Sequence, residues 1–178
     1  MSTYALMIDG AVAAIYEDPA QEDVDALGLE PVTGVAPPRP SSGKHKLVLS
    51  GGELQWSDTR SLAERKADRW SAIKAERDIR EYGGFAWGGS AFDSDPESQR
   101  RIQGAAQLAM LSQQLGQPFS IVWMLADNST RTLTGLDMLA VGVALSQHVG
   151  ALHATARTLR QQIEAAATAE QVDAVAWP

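Results

Sequence analysis

SLAERKADRWSAIKAERDIREYGGFAWGGSAFDSDPESQRRIQ, residues 61–103, decides how the rest of the chain is read. From Arg60 to Tyr82 there is no glycine or proline and good helix formers dominate. Opposite charges recur four apart at Arg60/Glu64, Glu76/Arg80 and Arg77/Glu81, each pair supporting an exposed helix by about 0.2–0.5 kcal/mol. Ala63, Ala67, Trp70 and Ile73 form one apolar stripe and Ala72, Ala75, Ile79 and Tyr82 a second, so the buried side is expected to shift along the helix. Gly83-Gly84 ends it. In FAWGGSAF, Gly88-Gly89 is a two-residue hairpin turn that sets Phe85 opposite Phe92 and Trp87 opposite Ser90. Ser94, followed by Asp95-Pro96-Glu97, has capping-box spacing and opens a second helix. Asp93-Ser94-Asp95 lacks the later glycine and bidentate glutamate of a calcium loop, and the glycines lack the Lys-Ser/Thr of a phosphate loop; cap and turn chemistry accounts for both.

Upstream, Asp9-Gly10 joins two apolar runs. A two-residue turn there pairs Ile8 with Ala11, Leu6 with Ala13 and Tyr4 with Ile15 on one face, and Met7 with Val12 and Ala5 with Ala14 on the other. Both faces are apolar, so the hairpin needs cover on two sides. Asp18-Pro19 reads as cap and first position of a short acidic helix ending near Gly28. Residues 31–43, PVTGVAPPRPSSG, read as a proline-rich loop, within which Pro37-Pro38-Arg39-Pro40 has the alternative reading of a docking ligand for an aromatic groove. KLVLSGGELQW gives a further hairpin, with Leu49 opposite Leu54 and Leu47 opposite Trp56.

Downstream, Pro96 to Leu115 is helical and stopped by Gly116 with Pro118 beyond. FSIVWML reads as a buried strand, and Asp127-Asn128-Ser129 as a turn into a strand ending at Leu133. These strands and the aromatic hairpin are expected to form one small sheet. Thr134 and Asp137 cap the longest helix, which reaches about Ala167. Met138, Gly142, Leu145, Val149, Leu152, Ala156, Leu159 and Ile163 make a seam along it, in steps of four and three. The seam admits either intramolecular packing or an oligomer core built on Leu145, Val149, Leu152, Leu159 and Ile163. The fold class is therefore α+β. An N-terminal β-rich docking module, 1–57, precedes a domain, 58–178, with three main helices and a small antiparallel sheet.

A length of 178 residues, 44% hydrophobic and 21% charged, suits a folded chain of one domain or a module plus a domain. The net charge of −7 is spread as −6 over residues 1–58, +2 over 59–82 and −3 over the rest. Such a surface repels phosphate, so nucleic acid is not an expected partner. There is no cysteine and hence no disulfide or thiolate site. The N-terminus lacks a basic n-region and is not read as a signal peptide, and no run is expected to be long and apolar enough for membrane insertion. His148 and His153 lie five apart, off zinc-pair spacing, and His45 is alone in a strand. No Ser/His/Asp set or paired carboxylates stand out, so no catalytic residue, cofactor or metal is expected.

LAERKADRWSAIKAERD, FAWGGSAFDSDPESQRRIQGAAQ, VWMLADNSTRTLT and the closing LRQQIEAAATAEQVDAVAWP together resemble a phage tail-fibre-associated domain of unknown function, over about residues 58–178. The marks are Arg69-Trp70 within a helix, the aromatic hairpin leading to Phe92-Asp93-Ser94-Asp95, Trp123 on a strand, and Thr134 before the last long helix. YALMIDGAVAAIY is similar to the short leading module of many tail-fibre and fibre-assembly proteins. The resemblance implies a structural protein of a bacteriophage tail, in a fibre or at the baseplate. It would be made in the bacterial cytoplasm, retained in the virion, and would work by contacts with other tail proteins and with copies of itself. Tyr4, Leu6, Ile8, Val12 and Ile15, with the loop around Pro37, are then the expected docking elements. Trp70, Phe85, Trp87, Phe92 and Trp123 form the expected structural aromatic cluster. The alternative is a fibre-assembly chaperone that leaves the mature particle. A hydrolase of host polysaccharide would need carboxylates converging near Trp87, and Asp93 and Asp95 are better read as hairpin and cap residues.

Overall fold

A computed structural model describes residues 2–34, 40 and 44–178. The fold is α+β, with an N-terminal strand hairpin, five helices and several small antiparallel sheets among the described residues. Two compact units divide the chain, Met1–Glu64 and Arg65–Pro178. The division falls inside the first turn of the helix after Arg60. Ser61 and Glu64 cap that turn reciprocally, Ser61 N–H donating to Glu64 at 2.9 Å and Glu64 N–H to Ser61 Oγ at 3.2 Å. Lys44 lies 3.7 Å from the same glutamate, so the turn is tied back into the first unit.

The first unit is a three-stranded sheet and a hairpin. Strands β1 (Thr3–Ile8), β2 (Ala11–Glu17) and β3 (Glu30–Val32) run in the order β2-β1-β3, all antiparallel, with the short helix α1 (Gln21–Leu27) between β2 and β3. The turn at Asp9-Gly10 keeps Ile8 opposite Ala11 and Met7 opposite Val12. Beyond it the expected register is wrong by one residue. A bulge leaves Ala13 unpaired, so Leu6 meets Ala14, Ala5 meets Ile15 and Tyr4 meets Tyr16. Because side chains alternate, that single extra residue moves Ile15 across to the face of Ala5. Two further expectations are corrected. The helix starts after Ala20, because Asp18 instead closes onto Ser2, its N–H donating to Ser2 O at 2.8 Å. The stretch from Pro31 is not all loop, since Pro31 sits in the outer strand β3 opposite Tyr4. Residues 35–39 and 41–43, and with them the proposed contact at Pro37, lie outside the described residues. Strands β4 (His45–Ser50) and β5 (Glu53–Asp58) pair as the sequence predicts, and Ala5, Val32 and Leu54 form the core, with Met7, Val12, Leu47 and Leu49 against it.

The second unit is built on helices α2 (Leu62–Tyr82), α3 (Pro96–Gln114) and α4 (Gly135–Ala165), with a last short helix α5 (Ala169–Ala174). Hairpin β6 (Phe85–Trp87) and β7 (Ser90–Phe92) has the expected register, and Gly88 and Gly89 both take the positive φ that a tight two-residue turn needs. Strands β8 (Ser120–Met124) and β9 (Thr130–Thr134) form a separate ribbon rather than one sheet with β6–β7. A backbone bond, Ala126 N–H to Ala91 O at 3.1 Å, joins the two ribbons. Nor is β8 wholly buried. Trp123 and Leu125 face inward and Val122 and Met124 face solvent, the alternation of a strand covered on one side.

Two apolar cores result. The first gathers Phe85, Phe92, Ile102, Ala109, Trp123, Leu125, Leu133, Met138, Val141 and Leu145. The second gathers Ile73, Ala156, Leu159, Ile163 and Val175, with Trp70 and Trp177 against it. Helix α4 belongs to both. Ser94 is not the expected cap of α3; Asp95 is, accepting from Glu97 N–H at 2.9 Å and Ser98 N–H at 3.2 Å. Ser94 is instead wholly buried, accepting from Gly84 N–H at 2.8 Å and donating to Glu81 O at 2.5 Å, which locks the end of α2 to the hairpin.

Candidate interaction surfaces

Three groups of residues stand out in the sequence as functional, and the structure gives each a different place. In the first unit, Val12 packs on the unit's own core, while Tyr4 and Leu6 are half-buried and Ile8 and Ile15 are 55% and 43% exposed. Strand β2 is the edge of its sheet, and from Ala11 to Tyr16 it carries no charged residue. Natural edges are commonly guarded by charge, proline or a bulge. Here the bulge at Ala13 does that, and strand β4 of the neighbouring hairpin lies close along β2.

The aromatic group divides. Phe85, Phe92 and Trp123 are buried together and Trp87 packs beside them; Phe85 stacks on Phe92 at 5.5 Å between centroids, and Trp87 meets Phe92 edge-on at 6.1 Å. Trp70 is not part of this cluster, because it lies on α2 against Ile73 and the second core. Cations cover the outer faces of these rings. The Arg131 guanidinium sits 5.1 Å from Trp87 and donates to Gly88 O at 2.8 Å and Ser90 Oγ at 3.0 Å, fastening the hairpin to β9. Arg101 covers Trp123 and Arg160 covers Trp70, each at 5.3 Å. This is scaffold chemistry.

The long-helix seam is used internally. Leu145 is buried in the first core and Val149 packs against it, Leu159 and Ile163 are buried in the second, and Leu152 is half-buried. Of the two arrangements that the seam admits, the structure shows intramolecular packing. The expected charge pair Arg77/Glu81 also gives way. Arg77 pairs with Asp78, and the buried Glu81 meets His153 Nε2 at 3.0 Å and Gln99 Nε2 at 3.4 Å, tying α2 to α4 and α3. Likewise Ala72, Ala75, Ile79 and Tyr82 are exposed instead of forming a second buried stripe.

What sequence reasoning missed is the other side of α4. There α3 and α4 run antiparallel so closely that a Cβ added at Gly142 would lie 3.2 Å from Ala106 Cβ. A groove of about 520 Å³ follows their junction, lined by Gln103, Gln107, Met110, Leu139, Val143 and Gln147 among others, and a second of about 330 Å³ continues it past Phe119 and Leu136. No lining residue is charged. The signal was present in the sequence: neither residues 102–126 nor 138–156 contain a single Asp, Glu, Lys or Arg. Against expectation, α4 is by length and composition apolar enough to cross a membrane, although six of its residues are buried in the protein's own cores.

Asp95, Asp127, Asp137 and Glu170, at helix starts or turns, are held below the ordinary carboxyl range. Hydrogen bonds from Ser98 lower Asp95, those from Ser129 lower Asp127, and those from Thr134 lower Asp137; its own backbone, then Thr168, lowers Glu170. Among the described residues no group of three His, Cys, Asp or Glu is placed to hold a metal ion.

Fold and surface thus define an α+β protein whose larger unit combines two internal cores with an uncharged helical face. Residues 64–176, more than half of the chain, match the family described as Domain of unknown function (DUF4376), and the chain belongs to that family. No curated protein and no solved structure matches the chain.

Proposed function

We propose that this chain is a structural subunit of a bacteriophage tail, in a fibre or at the baseplate, acting through protein–protein contacts and not through catalysis. The observation that carries the reading is the β1–β2 hairpin. Its edge strand is free of charge from Ala11 to Tyr16, with Ile15 exposed on it and Ile8 exposed at its turn. Exposed apolar side chains on and beside this uncharged segment offer a contact to a neighbouring chain. The resemblance of YALMIDGAVAAIY and of residues 58–178 to tail-fibre-associated sequences supplies the class of neighbour.

Mass spectrometry of purified particles tests the proposal. A tail subunit is retained in the particle, whereas absence from it would overturn the structural role in favour of a fibre-assembly chaperone. The double variant Ile8→Asp/Ile15→Asp spares Val12 and the module's core, and it should drop out of particles while remaining folded. Normal incorporation would show that the hairpin is not the docking element.

A further inference from the structure

We propose that the groove face of α3 and α4 is a self-association surface, and that two copies of the chain pack these faces against each other as a four-helix layer. The inference rests on the second unit alone and not on the tail assignment. A helix that is apolar on all sides needs cover on all sides. Of the most apolar stretch of α4 only 17% is fully buried in its own chain, and the rest is half-buried or exposed. Leu136 is 71% exposed and Val143 56%, and across the groove Met110 and Leu111 are about half exposed.

The chemistry of the face selects its occupant. With no charge along residues 102–126 or 138–156, it offers nothing to an ionic partner. In a chain of net charge −7, it is also a surface on which two copies can meet without like-charge repulsion. Its polar groups are amides and a hydroxyl, at Gln103, Gln107, Gln147 and Ser146. An amide both donates and accepts, so a glutamine can satisfy its counterpart across a two-fold axis, which Lys or Asp cannot do. The same amides would be left unsatisfied in a bilayer, which disfavours lipid as the occupant.

The size fits as well. Helix α3 has 19 residues and is about 28 Å long. Two helices packed about 8–10 Å apart present a face roughly 20 Å wide. That flat footprint of about 560 Å², enlarged by side-chain relief, approaches the roughly 800 Å² per partner of a stable interface. Antiparallel helix pairs of this kind complete a bundle readily when a second pair is laid on them.

Sedimentation velocity and light scattering of the full chain, at tens of micromolar, should give twice the 19.1 kDa mass of one chain. Val143→Arg should give a monomer with an unchanged far-UV circular dichroism spectrum. The chain has no cysteine, so Val143→Cys introduces a single thiol close to the proposed axis. Mild oxidation should link it to its own counterpart, whereas Lys74→Cys on α2 should stay unlinked. A monomeric wild type, a Val143→Arg variant that keeps the dimer mass, or equal linking at both cysteines would each overturn the proposal. So would a monomer that cosediments with phosphatidylcholine/phosphatidylserine vesicles, which would assign the face to a membrane. None of these results bears on incorporation through the first unit, so the two proposals fail separately.

Discussion

The inner and outer sides of α4 are nearly indistinguishable in composition and opposite in fate. On the inner side Met138, Val141 and Leu145 enter the first core, and Ala156, Leu159 and Ile163 the second. On the outer side Leu136 and Val143 stand exposed. Between residues 138 and 156 neither side carries an Asp, Glu, Lys or Arg. Hydrophobicity therefore does not decide which side is core; the elements available to cover it do. The inner side meets Ile102 and Ala109 of α3, the β8–β9 ribbon, the aromatic hairpin and α2, whereas Leu136 and Val143 face away from them. The sharpest way to break the comparison is to truncate one residue on each side. Leu145→Ala, at 3% exposure, should cost about 2–5 kcal/mol of stability, as buried leucines do. Val143→Ala should cost under about 0.5 kcal/mol when urea unfolding is followed in dilute solution, where the outer side is uncovered. A larger Val143 effect that grows with protein concentration would sharpen the contrast into one between a chain's own core and a shared one.

The same contrast explains what could be read from the residues alone. Turns announce themselves locally, so Asp9-Gly10, Gly51-Gly52 and Gly88-Gly89 fix three hairpins, and Thr134 with Asp137 fixes the start of α4. Helix α2 follows from its uninterrupted helix formers, and the ends of both α2 and α3 from the glycines beyond them. Features that depend on distant partners were hidden. Nothing local marks Ala13 as the extra residue of a bulge, because the shift is set by how Ala5 and Met7 meet the core of the first unit. Ser94 looks like a cap from its spacing, yet its hydroxyl is taken by Gly84 and Glu81, groups placed by α2. Trp70 joins a different core from the other aromatics because the helix from Trp70 to Tyr82, about 18 Å, carries it away from the hairpin. The α3–α4 groove was legible only as missing charge, and a periodic seam drew attention to the opposite side. Thr168 and Gln171 have capping-box spacing, and α5, six residues long, is short enough to vanish into the end of a longer helix.

Between the two sides of α4 lies Gly142, where the backbone approaches α3. Gly142→Ala would gain roughly 1 kcal/mol of helix propensity and meet Ala106 Cβ at 3.2 Å, two effects of opposite sign. Gly142→Leu removes the ambiguity. A branched side chain has to push α3 away, so the variant should lose about 1–3 kcal/mol, visible as a lowered urea midpoint. It should also widen the groove and weaken any association through it. If Gly142→Leu lost stability but kept the mass of the wild type, the groove geometry would be irrelevant to assembly and only the exposed rows Leu136 and Val143 would remain as contacts.

The smallest effect is expected where both sides share one determinant, the cap of α4. Thr134 Oγ accepts from Asp137 N–H at 3.3 Å, and the Asp137 carboxylate accepts from Thr134 N–H at 2.9 Å and from its hydroxyl at 2.6 Å. Those bonds, the hydroxyl first, hold the Asp137 carboxyl below its ordinary value of 3.8. A carboxyl lowered by folding adds stability that is complete above the unfolded value and is lost as pH falls through the folded one. At neutral pH Thr134→Ala should cost about 1 kcal/mol, a typical cap loss. Below pH 3.8 the wild type surrenders part of the same advantage, so the gap between wild type and variant in urea midpoint should narrow with acid. A constant gap across that range would mean that the hydroxyl caps α4 without holding the Asp137 charge. Because the cap supports inner and outer sides alike, the variant should keep the wild-type mass at neutral pH, in contrast to Val143→Arg, which should lose the mass and keep the fold.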